Sequence, residues 1–227
     1  AMSEGWMNAY IFRDARNIIR DYYWGARRCA EWCRERGGFW HSFPPARDST
    51  PYFTQSMIYY NLLIPLAGGS YPGRYSSTPG SETGTAHFVT RFSEFLYDLE
   101  LQPLEDAEDR VVVDADQLLW YADGTRWRDL PDGRRRYMIP LINPPTIERF
   151  LLRDRFGELP EPLREPFPVE VETPEGFSTA KVHMLTAEPR TEVVELEAEA
   201  DDELVYVEVP SLIMYRILII DFSKEDA

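Results

Sequence analysis

Few residues of this 227-residue chain are placed for acid–base or nucleophilic chemistry. Its three histidines, His41, His87 and His183, lie far apart in sequence. Only His41 falls in a stretch of strand character beside a loop, and Asp48 follows it in that loop. If residues 39–43 form a barrel strand, His41 and Asp48 sit near its C-terminal end, where such folds gather reactive groups. The plainer reading of His41 is a hydrogen-bonded core histidine. Acid–base cleavage of a glycosidic bond needs two carboxylates roughly 5 to 9.5 Å apart. Asp48 and Glu82 are loop acids with no evident partner, and Asp14 and Asp21 fall on a helix surface. No catalytic residue is assigned on these grounds.

Other signatures are missing. There is no GxSxG, phosphate loop, HExxH or dinucleotide fingerprint. Gly68-Gly69 with Gly73 is not a phosphate loop, because no strand leads in and no lysine follows. Cys29 and Cys33 are four apart on a helix, with no histidine or further cysteine near them. They read as reduced residues in or near the core, and no metal site or cofactor is expected. What the segment does offer is aromatic surface. Trp40, Tyr71 and Tyr75 can stack on sugar rings, and with His41 and Asp48 they form the candidate substrate-binding set.

The charge balance narrows the partners. Twenty-four basic residues against 39 acidic ones give a net charge of −15. Nucleic acid is excluded as a partner, since phosphate binding needs clustered positive charge. Anionic membrane surfaces are disfavoured for the same reason, and no run of about eighteen apolar residues is present to span a bilayer. Nothing at the start reads as a signal peptide, and Ala1 before Met2 reads as a cloning remnant. Neutral ligands such as sugars remain open.

The elements that must position these residues fall into two kinds. Residues 11–36 have apolar positions at helical spacing, and Gly37-Gly38 closes the helix. Phe39–Phe43 reads as a short buried strand between Gly-Gly and Pro44-Pro45. Residues 52–67 form a second apolar helix, strained near Pro65 and ended by Gly68-Gly69. Residues 70–84 are a long irregular loop, and a third helix covers 85–101. Helix followed by strand is the rhythm of α/β architecture. After Pro103 the pattern changes to strands: 111–113, 118–121, 125–128, 137–142, 169–173, 181–186, 193–197, 204–209 and 213–222. Asp123-Gly124 reads as the turn of a hairpin between 118–121 and 125–128. Val169 and Val171 alternate with Glu170 and Glu172, the mark of an antiparallel sheet with one wet face. Residues 188–203 carry eight acids and one arginine and read as a solvated face.

Three segments carry a family resemblance. Tyr137-Met-Ile-Pro-Leu-Ile-Asn143 is followed by a proline-rich crossing. Next comes Lys181-Val-His-Met-Leu-Thr-Ala-Glu-Pro189. Last is Tyr206-Val-Glu-Val-Pro-Ser-Leu-Ile-Met-Tyr-Arg-Ile-Leu-Ile-Ile220. In this order they resemble the β-domain behind the catalytic barrel of glycoside hydrolase family 66, the dextranases and cyclodextran-forming glucanotransferases. Phe53–Gly69 resembles that family's last barrel segment, and Phe92–Tyr97 the helix leading out of it. The resemblance implies an α/β part followed by an all-β part, namely the last βα units of a TIM-like (β/α)8 barrel joined to an antiparallel β-sandwich. The expected domains are 1–103 and 104–227. It departs from the family at Ser70–Gly73, where the family places a histidine and an acid. The family's nucleophile and general acid lie on earlier barrel strands that nothing here matches. A whole barrel needs about 200 residues or more, twice what precedes the sandwich. The resemblance therefore implies the C-terminal portion of a polysaccharide-acting protein, itself without the catalytic carboxylates. A glucan-type carbohydrate is the implied ligand. The alternative is a non-catalytic carbohydrate-binding or assembly module, a homo-oligomer joined through its exposed half-barrel or completed by the missing half.

Overall fold

In the computed structural model the described residues are 15–40, 62–69, 82–144, 161–187 and 190–224. They are mostly antiparallel β-sheet with few helices. The chain divides into two compact units, Ala1–Leu99 with Pro144–Pro160, and Glu100–Asn143 with Glu161–Ala227.

The first unit contributes helices. Helix α1 spans Ala15–Arg34. Its buried stripe is Ile19, Tyr23, Ala26 and Ala30, spaced by three and four residues. Cys33 is half-exposed at the edge of this stripe and Cys29 is exposed, so the expected near-core place of Cys29 is corrected. Both thiols are free. Helix α2 is described over residues 62–66. Both helices end in the same way. Gly37 N–H donates to Arg34 O and Gly38 N–H to Cys33 O; Gly68 N–H donates to Pro65 O and Gly69 N–H to Ile64 O. The first glycine of each pair has a positive φ, 71° at Gly37 and 83° at Gly68. This paired closure satisfies the last carbonyls of each helix.

Phe39 and Trp40 follow directly and lie in no strand, and Phe39 is 80% exposed. The buried strand expected at 39–43 is therefore absent at its first two positions, and 41–43 lie outside the described residues. The single helix expected over 85–101 is two, α3 (Glu82–Arg91) and α4 (Ser93–Leu96). The break falls at Phe92, which stays buried edge-on against Phe88 at 4.9 Å. Among the described residues the first unit holds no strand, so the α/β rhythm expected there is represented by its helices alone.

The second unit is a sandwich. Its strands are β1 (Gln102–Pro103), β2 (Val111–Val113), β3 (Arg126–Asp129), β4 (Arg135–Ile142), β5 (Phe167–Glu172), β6 (Thr179–Thr186), β7 (Glu192–Leu196), β8 (Ala198–Ala200), β9 (Leu204–Val209) and β10 (Tyr215–Ser223). A short helix, α5 (Ala107–Arg110), leads into β2. One sheet has the order β1-β3-β4-β10-β6-β7 and the other β2-β5-β9-β8. Every named pairing is antiparallel. The core lies between them, with Tyr137, Ile139, Leu218, Ile220 and Phe222 from one sheet meeting Val169, Val171, Val205 and Val207 from the other. Clean alternation holds for β5 and β9. It fails for β10, whose residues from Tyr215 to Phe222 are all buried. A central strand buried on both faces reads as a continuous apolar run. The acidic stretch 188–203 contains two strands, β7 and β8. β7 pairs with β6 and β8 with β9, so the chain changes sheets at Glu197.

The turn at Asp123-Gly124 is not the expected hairpin. Residues Ala122–Gly124 form a 3-10 turn. Trp120 bridges Ile142, while Arg126 pairs with Met138. The segments on either side of the turn thus lie along the same edge of β4. Trp120 and Ile142 exchange both backbone hydrogen bonds, so Ile142 and Pro140 direct their backbone polar groups to that edge. Pro140 has no N–H to give, and it falls opposite the gap left by the turn. Gly124 is a glycine for space. A Cβ there would stand 2.6 Å from Pro140 Cγ and 2.6 Å from Trp120 Cη2. Gly124→Ala is expected to destabilise the unit by about 1–3 kcal/mol through overpacking, read as a lower urea midpoint with an unchanged slope. The true hairpin joins β3 to β4 at Pro131–Gly133, where Gly133 takes φ 87° and Leu130 N–H donates to Arg134 O.

Candidate functional site

Of the candidate residues, Trp40 is described; His41, Asp48, Tyr71 and Tyr75 lie outside the described residues. Trp40 is half-buried. Its ring lies over the backbone of Gly69, so close that a Cβ on Gly69 would come within 2.5 Å of Cε3. The two Gly-Gly helix ends therefore meet through this tryptophan. The small residue that closes α2 is also the floor on which Trp40 rests.

The charged groups of the second unit form a separate arrangement. On the face of the six-stranded sheet opposite the core, Arg128, Arg136, Asp221 and Lys181 occupy one row across β3, β4, β10 and β6. Glu100 accepts from Arg128 Nη2 at 2.5 Å. Arg136 donates to both oxygens of Asp221, Nε at 2.6 Å and Nη2 at 2.7 Å. Arg134 Nη1 adds a third bond at 3.1 Å and also holds Asp132. Lys181 reaches Glu195 at 3.3 Å. On the core side Arg135 lies against Trp127 and Phe177, 4.5 and 5.3 Å from the ring centroids, and binds Asp129.

This chemistry is saturated. The Arg135 guanidinium holds the Asp129 carboxyl below the usual carboxylate range, and Arg134 does the same for Asp132. Arg110 lowers Glu172, and the backbone N–H groups of Leu204 and Glu203 lower Asp201. A glycosidic general acid needs the opposite, a carboxyl raised towards neutrality. These four are fixed anions. Among the described residues there is no group of three or more His, Cys, Asp or Glu side chains arranged to hold a metal ion. His183 sits half-buried on β6 opposite Ile219 and Glu195, and its Nδ1 has no hydrogen-bond partner.

The Arg110–Glu172 pair gives a testable pH dependence. Its bonds are 3.2 and 3.0 Å, and its side chains are 33% and 48% exposed. Glu172 is depressed in the folded state, so its contribution is complete above its ordinary value of 4.5 and is lost as pH falls through the lower folded value. Screening limits it to about 0.2–1 kcal/mol. Glu172→Gln should be less stable than the parent by that amount at pH 7. The difference should shrink in melts recorded at successively lower pH below 4.5.

No protein-family model matches the chain, and no curated protein matches it. A similar solved structure is the α-L-fucosidase isoenzyme 2 from Paenibacillus thiaminolyticus, with a TM-score of 0.37 and 16% identity over 62% of this chain and 20% of that one. The chain thus spans about a fifth of that enzyme's length. A likeness at that level bears on neither activity nor substrate.

Proposed function

We propose that this chain is the C-terminal portion of a polysaccharide-acting protein related to glycoside hydrolase family 66. In this reading the first unit is the end of a TIM-like barrel and the second is a non-catalytic β-sandwich. The two catalytic carboxylates belong to barrel strands outside this chain. The observation that carries the reading is the place of the resembling segments. Tyr137–Asn143 and the segment from Lys181 contribute β4 and β6, and the segment Tyr206–Ile220 runs from the end of β9 in the other sheet into β10. Of these, β4, β10 and β6 are direct neighbours in one sheet. Most of the likeness thus falls on three strands that form side by side. The lowered carboxyls of Asp129, Asp132, Glu172 and Asp201 fit a supporting role. Trp40, His41, Asp48, Tyr71 and Tyr75 are the glucan contacts proposed for this portion.

Two measurements on the purified chain test this. Incubated with dextran, it should release no reducing ends. Electrophoresed through dextran-containing gel, it should be retarded, and Trp40→Ala should relieve the retardation. Hydrolysis abolished by His41→Ala or Asp48→Asn would overturn the proposal and make the chain an enzyme in itself. Absence of retardation on dextran and on other glucans would remove the carbohydrate ligand.

A further inference from the structure

Two exposed surfaces of this chain are complementary in charge. The first is the outer face of the four-stranded sheet. Across β2, β5, β9 and β8, one register row reads Val112, Glu170, Tyr206, Glu199. Leu204 and Glu208 flank Tyr206 on the same face of β9. Val112, Leu204 and Tyr206 are 50%, 46% and 40% exposed. Among the described residues Glu172 on this face is paired with Arg110, whereas Glu170, Glu199 and Glu208 have no ion-pair partner. The face is acidic and studded with apolar side chains.

The second surface is the outward side of α1. Residues 15–36 carry six arginines against three acids, in a chain whose net charge is −15. Arg28, Trp32 and Arg36 recur every four residues along one line of this helix and the turn that closes it. Trp32 is 59% exposed. The Arg36 guanidinium lies 4.3 Å from its ring centroid and donates to Trp32 O, which holds the pair as one cationic and aromatic unit. Tryptophan, tyrosine and arginine are the residue types that dominate interface energetics.

We propose that the outer face of the four-stranded sheet of one copy docks the Arg28–Trp32–Arg36 line of α1 from a second copy. Trp32 packs among Val112, Tyr206 and Leu204, and the arginines meet Glu170, Glu199 and Glu208. A helix laid on a sheet is an ordinary layer arrangement in proteins. The opposite charges steer the encounter and the aromatic contact holds it. The contact joins two different surfaces. It therefore closes as a two-fold pair or extends as a chain. The proposal does not depend on the glucan reading.

Sedimentation of the 227-residue chain tests it. Self-association should be present in about 0.1 M salt and weaken by about tenfold or more in about 1 M salt, as the Debye length falls from about 10 to about 3 Å. Trp32→Glu and Tyr206→Glu should each weaken it by about tenfold or more, the scale of an interface hot spot. Circular dichroism melts would show that both variants are folded. Glu170→Arg should also weaken association, and Glu170→Arg combined with Arg28→Glu should restore it. A chain that remains monomeric at about 100 µM in low salt would overturn the proposal, given that charge-steered contacts are strongest there. So would association that Tyr206→Glu or the α1 variants leave unchanged.

Discussion

Phe222→Ala should lower the stability of the sandwich by about 3–5 kcal/mol, the range for truncating a fully buried phenylalanine. Phe222 lies on β10, between β4 and β6, and none of it is exposed. Its ring meets Tyr137 edge-on at 5.0 Å and Phe177 at 6.4 Å. Truncation removes the transferred apolar surface and both ring contacts. It also leaves a cavity between rigid strands that cannot collapse into it. Phe222→Leu refills much of that volume and should cost under about 1.5 kcal/mol. Urea titration followed by circular dichroism reads the difference. The midpoint should fall with the slope kept, because the surface exposed on unfolding is nearly unchanged. Since domains of this kind are stable by about 5–15 kcal/mol, the alanine variant should be partly unfolded at modest urea. A loss below about 1 kcal/mol would mean that Phe222 is not a core residue.

The neighbouring residue points the other way and should matter almost as much. Asp221→Ala is expected to cost about 3 kcal/mol, the lower end for breaking a buried ion pair from one side. The Asp221 side chain is 5% exposed, against 22% for Arg136 and 40% for Arg134. Those arginines reach solvent, which softens the loss. Yet Arg136 stands beside Arg128 on β3, and Lys181 flanks Asp221 on β6. Removing the row's one carboxylate leaves Arg136 without it, between Arg128 and Lys181, which keep their own partners Glu100 and Glu195. The cost should exceed that of Arg136→Ala, which leaves Asp221 one bond to Arg134. It should also shrink in an Asp221→Leu, Arg136→Met double variant, where no charge is left behind. A double-mutant cycle showing simple additivity would contradict the coupling assigned to this pair.

How much of this was legible in the sequence depended on the physics of each element. The wet-faced strands β5 and β9 announce themselves, because Val and Glu must alternate when one side faces water. β10 is legible only as an apolar run, since burial on both faces erases the alternation. The end of α1 was readable because Gly37 supplies a positive φ that few other residues accept. Asp123-Gly124 misled for a related reason. Glycine there answers to the nearness of Pro140 and Trp120, a tertiary demand that resembles a turn preference on paper. The change of sheet at Glu197 left no signal, because a run of glutamate and alanine or leucine carries no mark of which sheet each part joins. The ion row was out of reach as well. Arg136 and Asp221 are 85 residues apart, and only the register of β4 on β10 brings them together. In the candidate site, the aromatic character of Trp40 was plain. Its seat on Gly69 was not, because that contact needs both helix ends to be in place.

The central proposal is that this chain is the later portion of a glycosidase-like protein whose catalytic acids lie elsewhere. The most direct measurement is to read the source gene upstream of the Met2 codon. The account predicts an open frame continuing through about 200 or more codons of alternating strand and helix pattern, enough to complete a barrel, with acids at strand ends. A stop codon and a translation start immediately before Met2 would contradict it, and the family likeness would then record ancestry only.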